Sequence, residues 1–243
     1  LISMIAEKIF ISVGIKDVNR YAINRKDIIM MWHGSTPIKK IVFDDTITRN
    51  KQLSLEKLLF SLFPFLGSTR LKGLAISGSA EASKIFQSAF NAKEEQIILT
   101  GFPRNDTFFN MNQIAPIFTI LESAKKTNLT TVIYMPTHRK EGEDELSELI
   151  SLDFNKFNHS LKSLNTKLFI KLHYFHLKTH TFENLSHIYF ITDEDIDQDI
   201  YTVLNKFDIM ITDYSSVHFD FLLTQNPIIF APFDKEKYLK NDR

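Results

Sequence analysis

The sequence predicts an α/β fold built on parallel sheets. Short apolar runs alternate with amphipathic stretches of helical period, the turns between them are short, and the apolar runs end at their carboxyl sides in polar or breaker residues. That order argues against a barrel of hairpins.

Residues 1–11 read as the end of a helix running into a short strand. Residues 28–32 form a compact apolar strand, stopped by His33-Gly34-Ser35-Thr36-Pro37. The basic piece 38–42 begins a helix or loop, and 53–65 carries helical periodicity. A strand at 74–77 is closed by Gly78-Ser79, a helix follows over 80–90, and 97–99 is another strand. Gly101-Phe102-Pro103-Arg104-Asn105-Asp106 is a cluster of breakers and charges. The domain junction is placed there, giving a partial N-terminal domain over residues 1–100 and a C-terminal domain over 101–243.

The second half continues the alternation. Residues 117–126 are helical and 131–134 a strand, with Met135-Pro136-Thr137-His138-Arg139 as the turn beyond its carboxyl end. Residues 141–148 are acidic and solvated, 152–164 helical, and 168–172 a strand ending at His173. A strand over 188–191 ends at Thr192-Asp193. A helix over 199–206 leads into a strand at 208–211, an amphipathic stretch fills 217–223, and 227–230 is the last strand.

Composition narrows the function classes. At 243 residues the chain suits one large domain or two of moderate size. Lys plus Arg and Asp plus Glu both total 29, so no global field draws it to nucleic acid or an anionic membrane, and no nucleic-acid partner is expected. The absence of cysteine removes disulfides, zinc-thiolate sites and thiol nucleophiles together, and fits a reducing compartment. No apolar run reaches transmembrane length, and residues 1–15 lack a basic leader and a cleavage site. The first residue, a Leu in mid-pattern, suggests a fragment.

The most informative stretch is residues 209–221, IMITDYSSVHFDF. An apolar strand ending in Thr212-Asp213-Tyr214-Ser215-Ser216 before a helix would gather hydroxyls and open N–H groups where an anion is favoured. Asp213 or Ser215 would equally serve as a plain helix N-cap. In open parallel sheets ligands bind outside the carboxyl ends of the strands, where Thr137, Arg139, His173, Asp193, Asp213, Ser215 and Ser216 collect.

The individual residues each carry two readings. His33, beyond a strand and before a glycine, suits a general base near neutral pH, or is a histidine bonded to its own loop. His173 would donate to phosphate oxygens, or face solvent. Arg139 offers a rigid fork of donors for a phosphate, or is a surface charge. Asp220 lies four residues after Ser216, so it shares a helix face with it and would accept from ribose hydroxyls, or is a helix-surface carboxylate. His176 and His180, spaced four apart, lack a partner carboxylate in a recognised spacing, so no metal site is expected.

Several of these residues resemble, in order, the CDP-glycerol glycerophosphotransferase family, which holds teichoic-acid primases and polymerases and related capsule enzymes. The matching stretches are Trp32-His33-Gly34 with Thr36-Pro37 and Lys39-Lys40, Gly101-Phe102-Pro103-Arg104-Asn105-Asp106, Pro136-Thr137 with Arg139, Lys171-Leu172-His173, and Thr212-Asp213-Tyr214-Ser215-Ser216 with Phe219-Asp220. Departures are one extra residue in His33-Gly34-Ser35-Thr36-Pro37, Tyr174 after the second histidine, and His138.

The resemblance implies a GT-B-like enzyme of two Rossmann-like domains with parallel sheets facing a cleft, truncated here at both ends. The N-terminal domain takes the acceptor and the C-terminal one the CDP-linked donor. A polyol phosphate, glycerol phosphate or ribitol phosphate, moves from the CDP donor to a hydroxyl with release of CMP, with no cofactor and no metal. By motif position His33 resembles the catalytic base and His173 a second essential histidine. Pro136, Thr137, Arg139, Asp213, Ser215, Ser216 and Asp220 match the donor side. Gly34, Lys39, Arg104 and Asp106 match acceptor-side or interdomain positions. A lipid-linked or polymer acceptor and a cytoplasmic location, peripheral at the inner face of the membrane, follow from the same resemblance. A GT-B glycosyltransferase using a nucleotide sugar, or a non-catalytic nucleotide-binding fragment, remains the alternative.

Overall fold

A computed structural model describes residues 6–12, 27–34, 37, 40–45, 71, 73–109, 115–137, 151–172, 183–197, 199–236 and 238. The chain divides into two compact units, residues 1–103 and 104–242, with residue 243 grouped with the first. The helix expected over 53–65 and the acidic stretch 141–148 lie outside the described residues.

The described residues of the first unit form a four-stranded sheet in the order β1-β2-β3-β4, all parallel, from β1 (Lys8–Ile11), β2 (Asp27–Met30), β3 (Leu74–Ser77) and β4 (Ile97–Leu99). Alternation sends Ile9, Ile11, Ile28 and Met30 inward, and they pack with Ala75, Phe86, Phe90 and Phe102 into one core. Phe86 comes from α1 (Ala80–Ala89), whose first turn is closed by the Ser79 hydroxyl accepting from the Ala82 N–H at 3.1 Å. Gly73, at φ +88°, brings its backbone so close to β2 that a Cβ would fall on the Ile28 carbonyl.

The strand expected over 28–32 stops at Met30. Trp32 takes φ +54°, a left-handed conformation that turns the chain out of the sheet, and its indole lies edge-on to Phe90 at 5.3 Å between ring centroids.

The described residues of the second unit form a five-stranded parallel sheet in the order β7-β6-β5-β8-β9. Its strands are β5 (Thr130–Met135), β6 (Thr166–Ile170), β7 (Ile188–Phe190), β8 (Ile209–Thr212) and β9 (Ile228–Phe230). Both faces are covered, as the near-continuous apolar runs demand. On one face Ile133, Phe169 and Met210 pack with Leu121 of α2 (Phe118–Lys126) and with Phe207 and Phe221. On the other, Val132, Leu168 and Ile170 meet Leu161 of α3 (Phe154–Ser163). Between β8 and β9 lies α4 (Val217–Phe221).

Local chemistry explains where these elements depart from the periodicity. α3 starts at 154 because the Asp153 carboxylate accepts from the Lys156 N–H at 3.0 Å, fixing the cap and leaving Leu152 outside. The expected helix over 199–206 is instead two 3₁₀ turns, Ile200–Thr202 and Leu204–Lys206. Val203 between them sits at φ −120°, off the helical path, while its side chain and that of Leu204 are fully buried. The last amphipathic stretch is also shorter than expected: a single turn and a half of α4 passes into a 3₁₀ turn at Leu222–Thr224, closed by Gln225 at φ +60°.

Candidate functional site

The sheet order of the second unit fixes where a site can form. From the central β5 the chain first builds outward through β6 and β7, then returns to the other side of β5 for β8 and β9. The switch point is therefore between β5 and β8, where the connections leave in opposite directions and open a crevice at the carboxyl ends. The two segments entering that crevice are Pro136-Thr137 after β5 and Asp213-Tyr214-Ser215-Ser216 after β8.

A single buried carboxylate ties the two together. Asp213, 4% exposed, accepts through Oδ1 from the Thr137 N–H at 2.8 Å, the Thr137 hydroxyl at 2.5 Å and the Tyr214 N–H at 2.6 Å. One residue earlier, the Thr212 hydroxyl donates to the Met135 carbonyl at 2.6 Å. Asp213 thus caps no helix. It clasps one lip of the crevice to the other, 76 residues apart in sequence.

Beyond the clasp the turn is differently made. Among the described residues, the hydroxyls and N–H groups of Ser215 and Ser216 have no hydrogen-bond partner, whereas the Ser215 carbonyl accepts from His218 Nδ1 at 2.6 Å. Ser216 precedes α4 without a side-chain cap. With α4 so short, the macrodipole adds little, and an anion here would be held by individual N–H and O–H donors.

The second turn of the motif faces inward. Asp220, one turn beyond Ser216, has no exposed surface, and its Oδ2 accepts from Arg104 Nη2 at 2.9 Å and from the Tyr201 hydroxyl at 2.8 Å. It is neither a ribose contact open at the surface nor a solvated helix charge. Burial, and after it the Asp220 charge, push the Tyr201 phenol well above its ordinary pKa, although the Arg104 charge opposes them. The Arg104 guanidinium also lies 5.2 Å from the centre of the Tyr201 ring. Thr107 donates to the Tyr201 carbonyl at 3.1 Å and Asn205 to the Phe108 carbonyl at 2.7 Å, so the 3₁₀ segment Pro103–Phe109 is fastened to this unit. Asp106 on that segment is exposed.

In the first unit His33 follows β2 and is exposed, its imidazole stacked at a tilt on Trp32 with 4.2 Å between centroids, and Gly34 is buried. Lys39, Arg139 and His173 lie outside the described residues. Lys171, which precedes His173 by two residues, pairs with Asp193 at 2.8 Å, joining the ends of the β6 and β7 segments.

A family model described as CDP-Glycerol:Poly(glycerophosphate) glycerophosphotransferase matches residues 4–243. The chain belongs to this family. A teichoic acid glycerol-phosphate transferase of Staphylococcus aureus is 28% identical over 233 residues, covering 90% of this chain and 55% of the relative. A teichoic acid ribitol-phosphate primase of Bacillus spizizenii is 27% identical over 215 residues, covering 87% and 53%. The chain thus spans about half the length of these curated relatives. Among solved structures, the wall teichoic acid polymerase TagF soaked with CDPG superposes with a TM-score of 0.69 at 23% identity, over 98% of this chain and 57% of that one. That likeness establishes a GT-B-like fold for this glycerophosphotransferase-family chain, with a parallel α/β sheet in each unit.

Two residues that shape the site escaped the sequence reading. Tyr201 fell inside an expected helix, and no local signal pointed to its bond with Asp220. His218 carried a local signal: a ring nitrogen three residues beyond Ser215 can reach back to that carbonyl within the first turn.

Proposed function

We propose that the protein moves a polyol phosphate, glycerol phosphate or ribitol phosphate, from a CDP-activated donor to a hydroxyl acceptor and releases CMP. The process it serves is the synthesis of a teichoic-acid or capsule-type surface polymer. The observation that carries this reading is the crevice at the β5–β8 switch point. Its lips are pinned by Asp213, and the donors of Ser215 and Ser216 have no partner among the described residues, within a family whose model is named for this transfer.

In this reading residues 104–242 hold the CDP moiety, with Pro136 and Thr137 on one lip, Ser215 and Ser216 on the other, and Arg139 and His173 supplying further donors to the diphosphate. The acceptor oxygen attacks the β-phosphorus, its proton passes to His33, and the bond from that phosphorus to the bridging oxygen breaks to free CMP. Catalysis of this kind is mostly positioning and charge stabilisation. Asp220 and Arg104 contribute by holding α4 in place. Gly34 and Lys39 serve the acceptor side, Asp106 stands at an acceptor-side or interdomain position, and the acceptor is a polymer or lipid-linked chain presented at the inner membrane face. Among the described residues no helix is long and apolar enough to cross a membrane.

The test is a donor panel: CDP-glycerol, CDP-ribitol and UDP-sugars, each with an acceptor, read as nucleotide release. CMP release from a CDP-polyol, unaffected by chelator, is expected. Turnover of a UDP-sugar with neither CDP-polyol reacting overturns the reading in favour of a glycosyltransferase. Flotation with anionic vesicles tests the membrane contact separately.

A further inference from the structure

We infer that His218 is a positioning residue for the donor diphosphate, acting through the peptide that joins Ser215 to Ser216. This rests on the donor site proposed above. A carbonyl oxygen only accepts, so the 2.6 Å contact to Ser215 requires the hydrogen to be on Nδ1 of His218. The His218 N–H adds a weaker bond to the same oxygen at 3.4 Å. The imidazole is itself held, tilted on Phe219 at 4.1 Å and edge-on to Phe230 of β9 at 5.1 Å between centroids.

The consequence follows from peptide planarity. No peptide bond among the described residues is cis, so the Ser215 C=O and the Ser216 N–H point in opposite directions from one plane. Drawing the carbonyl toward His218 turns the Ser216 N–H the other way, and that N–H has no partner among the described residues. Ser216 sits at φ −64° and ψ −10°, and neither angle by itself fixes the plane before it. The His218 ring is the group that does. Binding therefore meets an N–H already aimed, and avoids the cost of ordering it. The Asp213 clasp sets the turn's beginning, and His218 sets its end.

The two ring nitrogens allow a decisive substitution series, because an asparagine amide mimics Nδ1 and a glutamine amide mimics Nε2. CMP binding by calorimetry and steady-state CMP release from CDP-glycerol are measured for the parent protein, His218→Asn, His218→Gln and His218→Ala, with thermal melting as the folding control. The expected result is that His218→Asn stays within about twofold of the parent, while His218→Gln and His218→Ala weaken CMP binding and raise KM for CDP-glycerol by about tenfold, with kcat changed much less. Parent-like affinity in a folded His218→Ala overturns the inference while leaving the proposed function standing. So does rescue by Gln in place of Asn, which would make Nε2 a direct ligand. A parent protein that binds neither CMP nor pyrophosphate overturns both.

Discussion

Arg104 and Asp220, 116 residues apart, meet in a 2.9 Å ion pair in which the carboxylate is wholly buried and the guanidinium retains a quarter of its exposure. The pair fastens the first residue of the second unit to the helix that follows the Ser215–Ser216 turn. Because the carboxylate has left water, its partners decide whether the arrangement stabilises or costs.

Replacing Arg104 by Ala removes the cation paired with the buried Asp220 carboxylate at 2.9 Å. Urea unfolding of the protein is expected to show a loss of about 3 kcal/mol. Asp220→Asn, which removes the charge and keeps the shape, is expected to lose less. Equal losses would mean that the lost ion pair, and not a stranded buried charge, sets the cost.

The raised pKa of Tyr201 makes stability fall in alkali. Below about pH 10, the ordinary phenol value, folded and unfolded chains both hold the proton and the contribution is fully present. Above it the unfolded chain sheds the proton while the folded one keeps it, so unfolding becomes easier by up to about 1.4 kcal/mol per pH unit until the native phenol titrates. Tyr201→Phe is expected to flatten the stability profile above pH 10 relative to the parent. Superimposable alkaline slopes would rule out the linkage.

The Asp213 clasp is expected to matter to binding beyond its effect on folding. Asp213→Ala removes the acceptor shared by three donors on Thr137 and Tyr214, costing about 2 to 3 kcal/mol. Asp213→Asn, a milder change, is expected to weaken CMP binding about tenfold, because Thr137 is no longer held at the crevice by a charge-assisted pair. Calorimetry on the Asn variant checks this, and unaltered affinity would refute it.

Base and donor site should separate cleanly. His33→Ala is expected to lower kcat by about 10²- to 10⁴-fold with CMP affinity unchanged, since the two functions are assigned to different units. Ser216→Ala is expected to do the reverse, weakening CMP several-fold through one lost hydroxyl donor. If His33→Ala releases CMP at the parent rate, the proton goes elsewhere.

The elements were legible wherever local pattern decides them. Strands 74–77 and 97–99 coincide with β3 and β4, and the α/β alternation appears in the periodicity because each buried strand is a short apolar run between turns. Strand 168–172 began two residues late because Thr166 and Lys167, polar yet paired with Thr130 and Thr131, carry no apolar signal. What failed was long-range. Helical spacing placed Asp220 on the face of Ser216, and nothing local could reveal Arg104 and Tyr201 arriving from elsewhere to enclose it. Asp213 showed the same limit: a residue read as donor-side, or else as a plain N-cap, finds its partner on the neighbouring strand's loop.

The order in which the second unit's strands are laid down gives its crevice a place in time. One lip follows β5 and the other follows β8, and the contacts that join them span 76 and 77 residues. A chain emerging from the ribosome can complete β5, β6 and β7 and still lack one lip of the crevice proposed to hold the donor. Only the arrival of β8 beside β5 closes the loop, and non-local pairings of this kind form late and slowly. On the proposed donor reading, a nascent chain halted before residue 209 is well advanced in folding yet lacks the lip assigned to CMP, so any stabilisation by CMP acts after that point.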